Sequence, residues 1–187
     1  GAQLEAKPYA TSFTDSTRSP ESMTIPTAGV LNPQEGTVEV VWIPQQPISG
    51  IISQATSPRI LQIGNYYQNN SLVLWAYISS PGSEPTLKLY VKGSSSTGWS
   101  TAPIIKSSGS GWYTVGQPIF LAVKWQNGNT FWVSVNGTTY GPYTITDALT
   151  GWAGNTMWLG SDGTYNGYPN ALYDDLRISS IARSDEE

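Results

Sequence analysis

Apolar and polar positions alternate along most of this chain with a period of two. In 37–43, Val38, Val40 and Trp42 share one face. In Asn-Thr-Phe-Trp-Val-Ser-Val-Asn-Gly (129–137), Phe131, Val133 and Val135 share one face, and Trp132, Ser134 and Asn136 share the other. Such alternation is the signature of strands packed on one side. It predicts strands at 22–26, 37–43, 59–63, 72–78, 86–92, 118–125, 130–136, 139–144, 156–160 and 171–179, with one more short strand within 102–106. Gly, Pro, Ser and Asn bound them, and helix signals are nearly absent. Asn127-Gly128 and Asn136-Gly137 are strong tight-turn signals, so 118–125, 130–136 and 139–144 read as a meander. Many short strands with turn chemistry between them predict a two-sheet antiparallel sandwich. Residues 1–10 read as a tail or linker and 11–187 as one domain. The stretch 92–116, rich in Ser and Gly, reads as a long loop of the functional kind.

The same parity marks aromatic rings that a simple sandwich leaves uncovered. Trp75 and Tyr77 oppose Leu72, Leu74, Ala76 and Ile78. Tyr90 falls with Lys88 and Lys92, and Trp132 with Ser134 and Asn136. Trp99, Trp112 and Trp152 each follow a glycine in loop-like sequence. Trp42 and Trp125 share parity with core residues and read as core, with Trp158 packed as well. Trp132, Tyr90, Trp99, Trp112 and Trp152 are therefore candidate ligand-binding residues. Trp75 and Tyr77 join them, although a third layer would make those two core. A Trp or Tyr ring stacks on the apolar face of a sugar while nearby amides and hydroxyls bond its rim. Loops folding over the rings would remove that site.

Composition narrows the chemistry. Charged residues are only 12% and the net charge is −4, so no basic footprint for nucleic acid exists. No apolar run is long enough to span a bilayer. The chain has no Cys and no His, which removes Ser-His-Asp and Cys-His catalysis and the common zinc sites. A bound metal would need oxygen ligands, as calcium does. The start has neither Met nor a signal-peptide pattern and reads as a piece of something longer.

Several segments together resemble the laminin G-like, concanavalin A-like lectin and glucanase jelly rolls. PIFLAVKWQNGNTFWVSVNG (118–137) is similar to their hairpin, and MWLGSDG (157–163) to the strand that follows. ALYDDLRISSIARSDEE (171–187) resembles their closing strand and ESMTIPTAGVLNPQEGTVEVVWIP (21–44) their opening strands. The ending RISSIARS looks like modules of bacterial secreted and phage structural proteins. The resemblance implies a jelly roll, frequent carbohydrate binding and often a structural calcium.

In 172–178, Asp174 shares parity with Leu172, Leu176 and Ile178, so it is expected on the core side, with Asp175 outward beside Arg177. A buried carboxylate needs a cation or several N–H donors. Asp174 is thus a candidate ligand of a structural calcium, with backbone carbonyls near the N-terminal strand and Asp15 as helpers; the alternative is a hydrogen-bonded Asp tying strands together. Asp162-Gly163 reads as a turn, with a second oxygen-rich loop as the alternative. The paired acids of the family's catalytic members are not matched, and neighbouring strand residues such as Asp174 and Asp175 point to opposite faces. The expectation is a non-catalytic module for a polysaccharide or cell-surface glycan, beside neighbouring domains of a larger extracellular or virion protein. Rival readings are a structural or protein-interaction domain, an adhesin whose calcium bridges to the ligand, and an enzyme that gathers Glu39, Asp147 and Asp162 into one cleft.

Overall fold

The computed structural model describes residues 23–51, 57–95, 103–160 and 170–184. Its strands are β1 (Met23–Pro26), β2 (Gly36–Pro44), β3 (Arg59–Ile63), β4 (Ser71–Tyr77), β5 (Thr86–Lys92) and β6 (Ile104–Lys106), followed by β7 (Ile119–Gln126), β8 (Thr130–Val135), β9 (Thr138–Thr144), β10 (Thr156–Leu159) and β11 (Ala171–Ser179). They build two antiparallel sheets. One has six strands in the order β1-β10-β3-β4-β5-β6, the other five in the order β11-β2-β7-β8-β9. The fold is the expected β-sandwich, and the observed strands match the alternation closely. Asn136 and Gly137 both have positive φ, 48° and 79°, and close β8 onto β9 in a two-residue turn, the form that Asn-Gly favours.

The inward faces of both sheets meet in one core. Val38, Val40 and Trp42 of β2 face Leu72, Leu74 and Ala76 of β4 and Leu87, Leu89 and Val91 of β5 in that cluster, with Phe131, Val133 and Val135 of β8. Burying a side chain of this size contributes about 1.5–3 kcal/mol over leaving it in water. Trp42 and Trp125 are fully buried, as their parity demands.

Two of the Gly-Trp loops enter this core. Trp112 stacks on Trp42 with ring centroids 6.2 Å apart, and its indole N–H donates to Pro85 O. Glu84 holds that loop in place: its carboxylate accepts from the backbone N–H of Gly111 at 3.1 Å and of Tyr113 at 3.0 Å. Trp152 packs edge-on against Trp125 at 5.5 Å and is 7% exposed. Trp112 and Trp152 are therefore core residues and not ligand-facing ones. Each indole is too large an apolar body to leave in water when a space between the sheets will take it.

One residue in β11 overturns the parity of its neighbours. Asp174 pairs with Val41 and Arg177 with Glu39, so β11 has one extra residue there. Asp175 takes it up with φ 47°. Beyond this bulge Leu176 and Ile178 turn inward, whereas Leu172 and Asp174 stay outside. Asp174 is exposed, not on the core side. The inward neighbour is Tyr173, whose hydroxyl donates to Ile60 O at 3.0 Å; burial pushes its phenol well above the usual range.

Candidate functional site

The outward faces of the two sheets differ in kind. On the six-stranded sheet, β3, β4 and β5 set side chains in lateral rows. Gln62 pairs with Val73 and Val73 with Tyr90; Arg59 pairs with Trp75 and Trp75 with Lys88. Tyr66, Val73 and Trp75 form a second buried cluster, with Tyr77 and Tyr90 packed on it. Trp75 is the hub. Its ring lies 5.4 Å from both Tyr77 and Tyr90 and 5.9 Å from Tyr66, and its N–H donates to Ser57 O.

Under the rings sits Arg59, with no exposed surface. Its guanidinium carbon is 3.9 Å from the Tyr66 ring centroid and 5.3 Å from that of Trp75. The ring faces offer a buried cation a partial substitute for water. Lys88 Nζ lies 4.3 Å from the Tyr77 ring. Lys92 Nζ donates to Tyr67 O at 2.7 Å. The Tyr67 ring rests on Tyr66 at 4.0 Å, is 51% exposed, and is carried on a backbone with φ 65°. A bulky residue in that left-handed region costs about 1–3 kcal/mol, and such strain concentrates at ligand clamps. Tyr90 is pushed up to about 12, first by burial and then by the neighbouring phenols of Tyr77 and Tyr67. Its hydroxyl therefore remains a neutral donor and acceptor through the physiological range. Gln62 is fully buried in the same face; its amide donates to Gly64 O, and its Oε1 accepts no hydrogen bond among the described residues. Trp158 of β10 stands beside it, half-buried, on this outward face and not in the core.

On the five-stranded sheet the described residues leave the outward face as a groove. Arg177, Glu39, Ala122, Ser134 and Thr139 form one row across all five strands. They floor a groove of about 250 Å³ whose lining also includes Phe120, Lys124 and Arg183. Phe120 is 59% exposed. Trp132 stands beside the groove, half-buried, with Lys124 Nζ 5.3 Å from its ring. A Cβ on Gly141 would come within 3.1 Å of Trp132 Cδ1 and 2.8 Å of Phe131 O, so only glycine lets β9 close over that indole. The tryptophan on the polar face of β8 is thus half roofed by its own sheet.

Of the residues expected to bind ligand, Trp75, Tyr77 and Tyr90 come together, with Trp75 closed off beneath the tyrosines. Trp132 lies on the opposite side of the sandwich. Trp99 and Asp15 fall outside the described residues, as does Asp162. Among the described residues no group of three or more His, Cys, Asp or Glu side chains gathers, and Asp174 Oδ1 accepts from the N–H of Asp175 at 2.9 Å. Sequence reasoning missed Tyr66, Tyr67, Arg59 and Phe120. Arg59, a cation inside the apolar run Arg-Ile-Leu-Gln-Ile, and Phe120, an aromatic ring out of parity with Leu121 and Val123, were visible signals.

No family model matches the sequence. No curated protein sequence matches it either. Solved structures do. The botulinum neurotoxin serotype D binding domain superposes with a TM-score of 0.64 at 13% identity, over 91% of this chain and 39% of that one. The receptor binding domain of botulinum neurotoxin D gives 0.62 at 13% identity, over 91% and 40%. Toad ovary galectin in complex with thio-digalactose gives 0.52 at 10% identity, over 84% and 97%. The chain is therefore similar to a lectin-type β-sandwich in fold. It spans about 39% of the toxin chain it matches.

Proposed function

We propose that this chain is a non-catalytic carbohydrate-binding module whose ligand lies on the outward face of the six-stranded sheet. The observation that carries this reading is the group of Tyr67, Tyr77 and Tyr90 rings over the buried Tyr66 and Trp75, with two lysines beside it. Tyr67, Tyr77 and Tyr90 present apolar ring area with hydroxyls attached, which suits the apolar face and the hydroxyl rim of a pyranose. The Tyr67 ring rests on Tyr66 and is half exposed, so it offers ring area at the edge of this cluster. The fold is shared with a galectin bound to thio-digalactose, which supports the reading without naming the sugar. A larger extracellular or virion protein, with neighbouring domains, is the setting we infer for the module.

Intrinsic fluorescence tests this directly, because Trp75 lies beneath the tyrosines. A panel of neutral soluble polysaccharides is titrated into the wild-type chain and into Tyr67→Ala, Tyr90→Ala and Trp132→Ala. A saturable spectral shift, weakened about tenfold or more (about 1.4 kcal/mol) by the two tyrosine changes and kept in Trp132→Ala, is expected. No shift with any glycan, or one abolished only in Trp132→Ala, would sink it.

A further inference from the structure

The groove on the five-stranded sheet faces away from the aromatic surface and has a different chemistry. Its ligand-facing groups come from a row in which Ala122 is the smallest member, which opens the depression, with Phe120 rising at one side. Three cations, Lys124, Arg177 and Arg183, line it against two acids, Glu39 and Asp175. Among the described lining residues three less two leaves +1, on a chain whose net charge is −4. Arg183 Nη1 lies 3.4 Å from Glu39 Oε2. Arg177 meets Asp175 at 3.9 Å with both side chains more than 60% exposed, a pair of the kind that contributes almost nothing and leaves a guanidinium fork able to take a carboxylate in two parallel hydrogen bonds.

We propose that this groove is a second saccharide site and that it takes a sugar carrying a carboxylate. Phe120 supplies a stacking ring, and Arg177 supplies the anion contact. The Ser134 and Thr139 hydroxyls, bonded to each other at 2.7 Å, offer donors and acceptors to the sugar's own hydroxyls. Glu39 decides between a sugar acid and a bare anion. A carboxylate on the floor repels a featureless polyanion, whereas it accepts hydrogen bonds from sugar hydroxyls lying above it. The mixture of an acid, a cation and an aromatic ring around one groove matches a ligand that is itself apolar on one face, hydroxylated at its rim and anionic at one point. The two faces would then hold two glycan segments at once, one on each side of a single domain.

The test uses polygalacturonate, uncharged galactan and poly-L-glutamate as probes, with calorimetric titration of the wild-type chain, Arg177→Gln, Phe120→Ala and Tyr90→Ala. Expected is binding of polygalacturonate that weakens as salt is raised, falls about tenfold in each groove variant, and is unchanged in Tyr90→Ala. Both groove residues are exposed, so the variants should keep the wild-type melting temperature. Galactan binding as tightly as polygalacturonate would overturn the requirement for a carboxylate. Poly-L-glutamate binding as tightly would reduce the groove to an anion site. Loss confined to Tyr90→Ala, or no binding of polygalacturonate, would leave the groove without a ligand, whatever neutral glycans do on the aromatic face.

Discussion

The two outward faces of the sandwich began from the same alternation and ended differently. On β4 and β5 the outward positions carry Val73, Trp75, Tyr77 and Tyr90, and they have been closed into a second cluster over a buried arginine. On β7 and β8 the outward positions carry Phe120, Ala122, Lys124, Trp132 and Ser134, and they remain a groove with an exposed ring at its side. Parity says which way a side chain leaves the sheet. It does not say what meets it there. On the first face the loop between β3 and β4 returns two tyrosines to the sheet. On the second, Lys124 and the Gly141 backbone cover one indole in part, and the small Ala122 leaves the middle open.

That contrast is open to measurement. The largest effect is expected at Trp75. If its face is a second core, Trp75→Ala should lower unfolding stability by about 3–5 kcal/mol in urea, whereas Trp132→Ala across the sandwich should lose less than about 2 kcal/mol because its ring is only half-buried. Equal losses would erase the distinction between the faces. Alkaline titration sharpens it next. Tyr90 on the aromatic face and Tyr113 in the core are both raised to about 12 by burial, above the usual value near 10. The unfolded chain therefore gives up these protons first as pH rises, so their contribution to stability is intact below about pH 10 and disappears between about 10 and 12. Denaturant midpoints should fall through that window, and the fall should be shallower in Tyr90→Phe. The smallest effects belong to the exposed acids. Asp174→Ala should change stability by no more than about 0.5 kcal/mol, and Glu39→Gln, which breaks a partly exposed pair with Arg183, by no more than about 1 kcal/mol. A melting temperature that drops sharply in Asp174→Ala would restore the idea of a structural cation at that carboxylate.

Most of the architecture was legible because period-two alternation and Asn-Gly turns are local signals. Val38, Val40 and Trp42 declare a core face within five residues, and Asn136-Gly137 declares a turn in two. The site was only partly legible, because its decisive features are not local. The pairing of Tyr66 with Trp75 needs the β3–β4 loop to fold back. The burial of Trp112 depends on Glu84, far away in sequence, accepting two amides from its loop. The inversion of Asp174 depends on one extra residue in β11, for which the adjacent acids Asp174-Asp175 were the faint clue.

The pairing of β11 with β2 has a consequence for how the domain is made. These strands come from opposite ends of the chain: the Thr37 hydroxyl donates to Ile181 O across 144 residues. While a ribosome is still delivering the last strand, β2 has one hydrogen-bonding edge unfilled, with Val41 and Ile43 beside it. Open edges of this kind invite pairing with other chains, and contacts so distant in sequence form late. A nascent copy stalled before residue 171 would not be a slightly shortened domain. It would be a sheet with a sticky margin, exposed to pairing with other chains until β11 covers it.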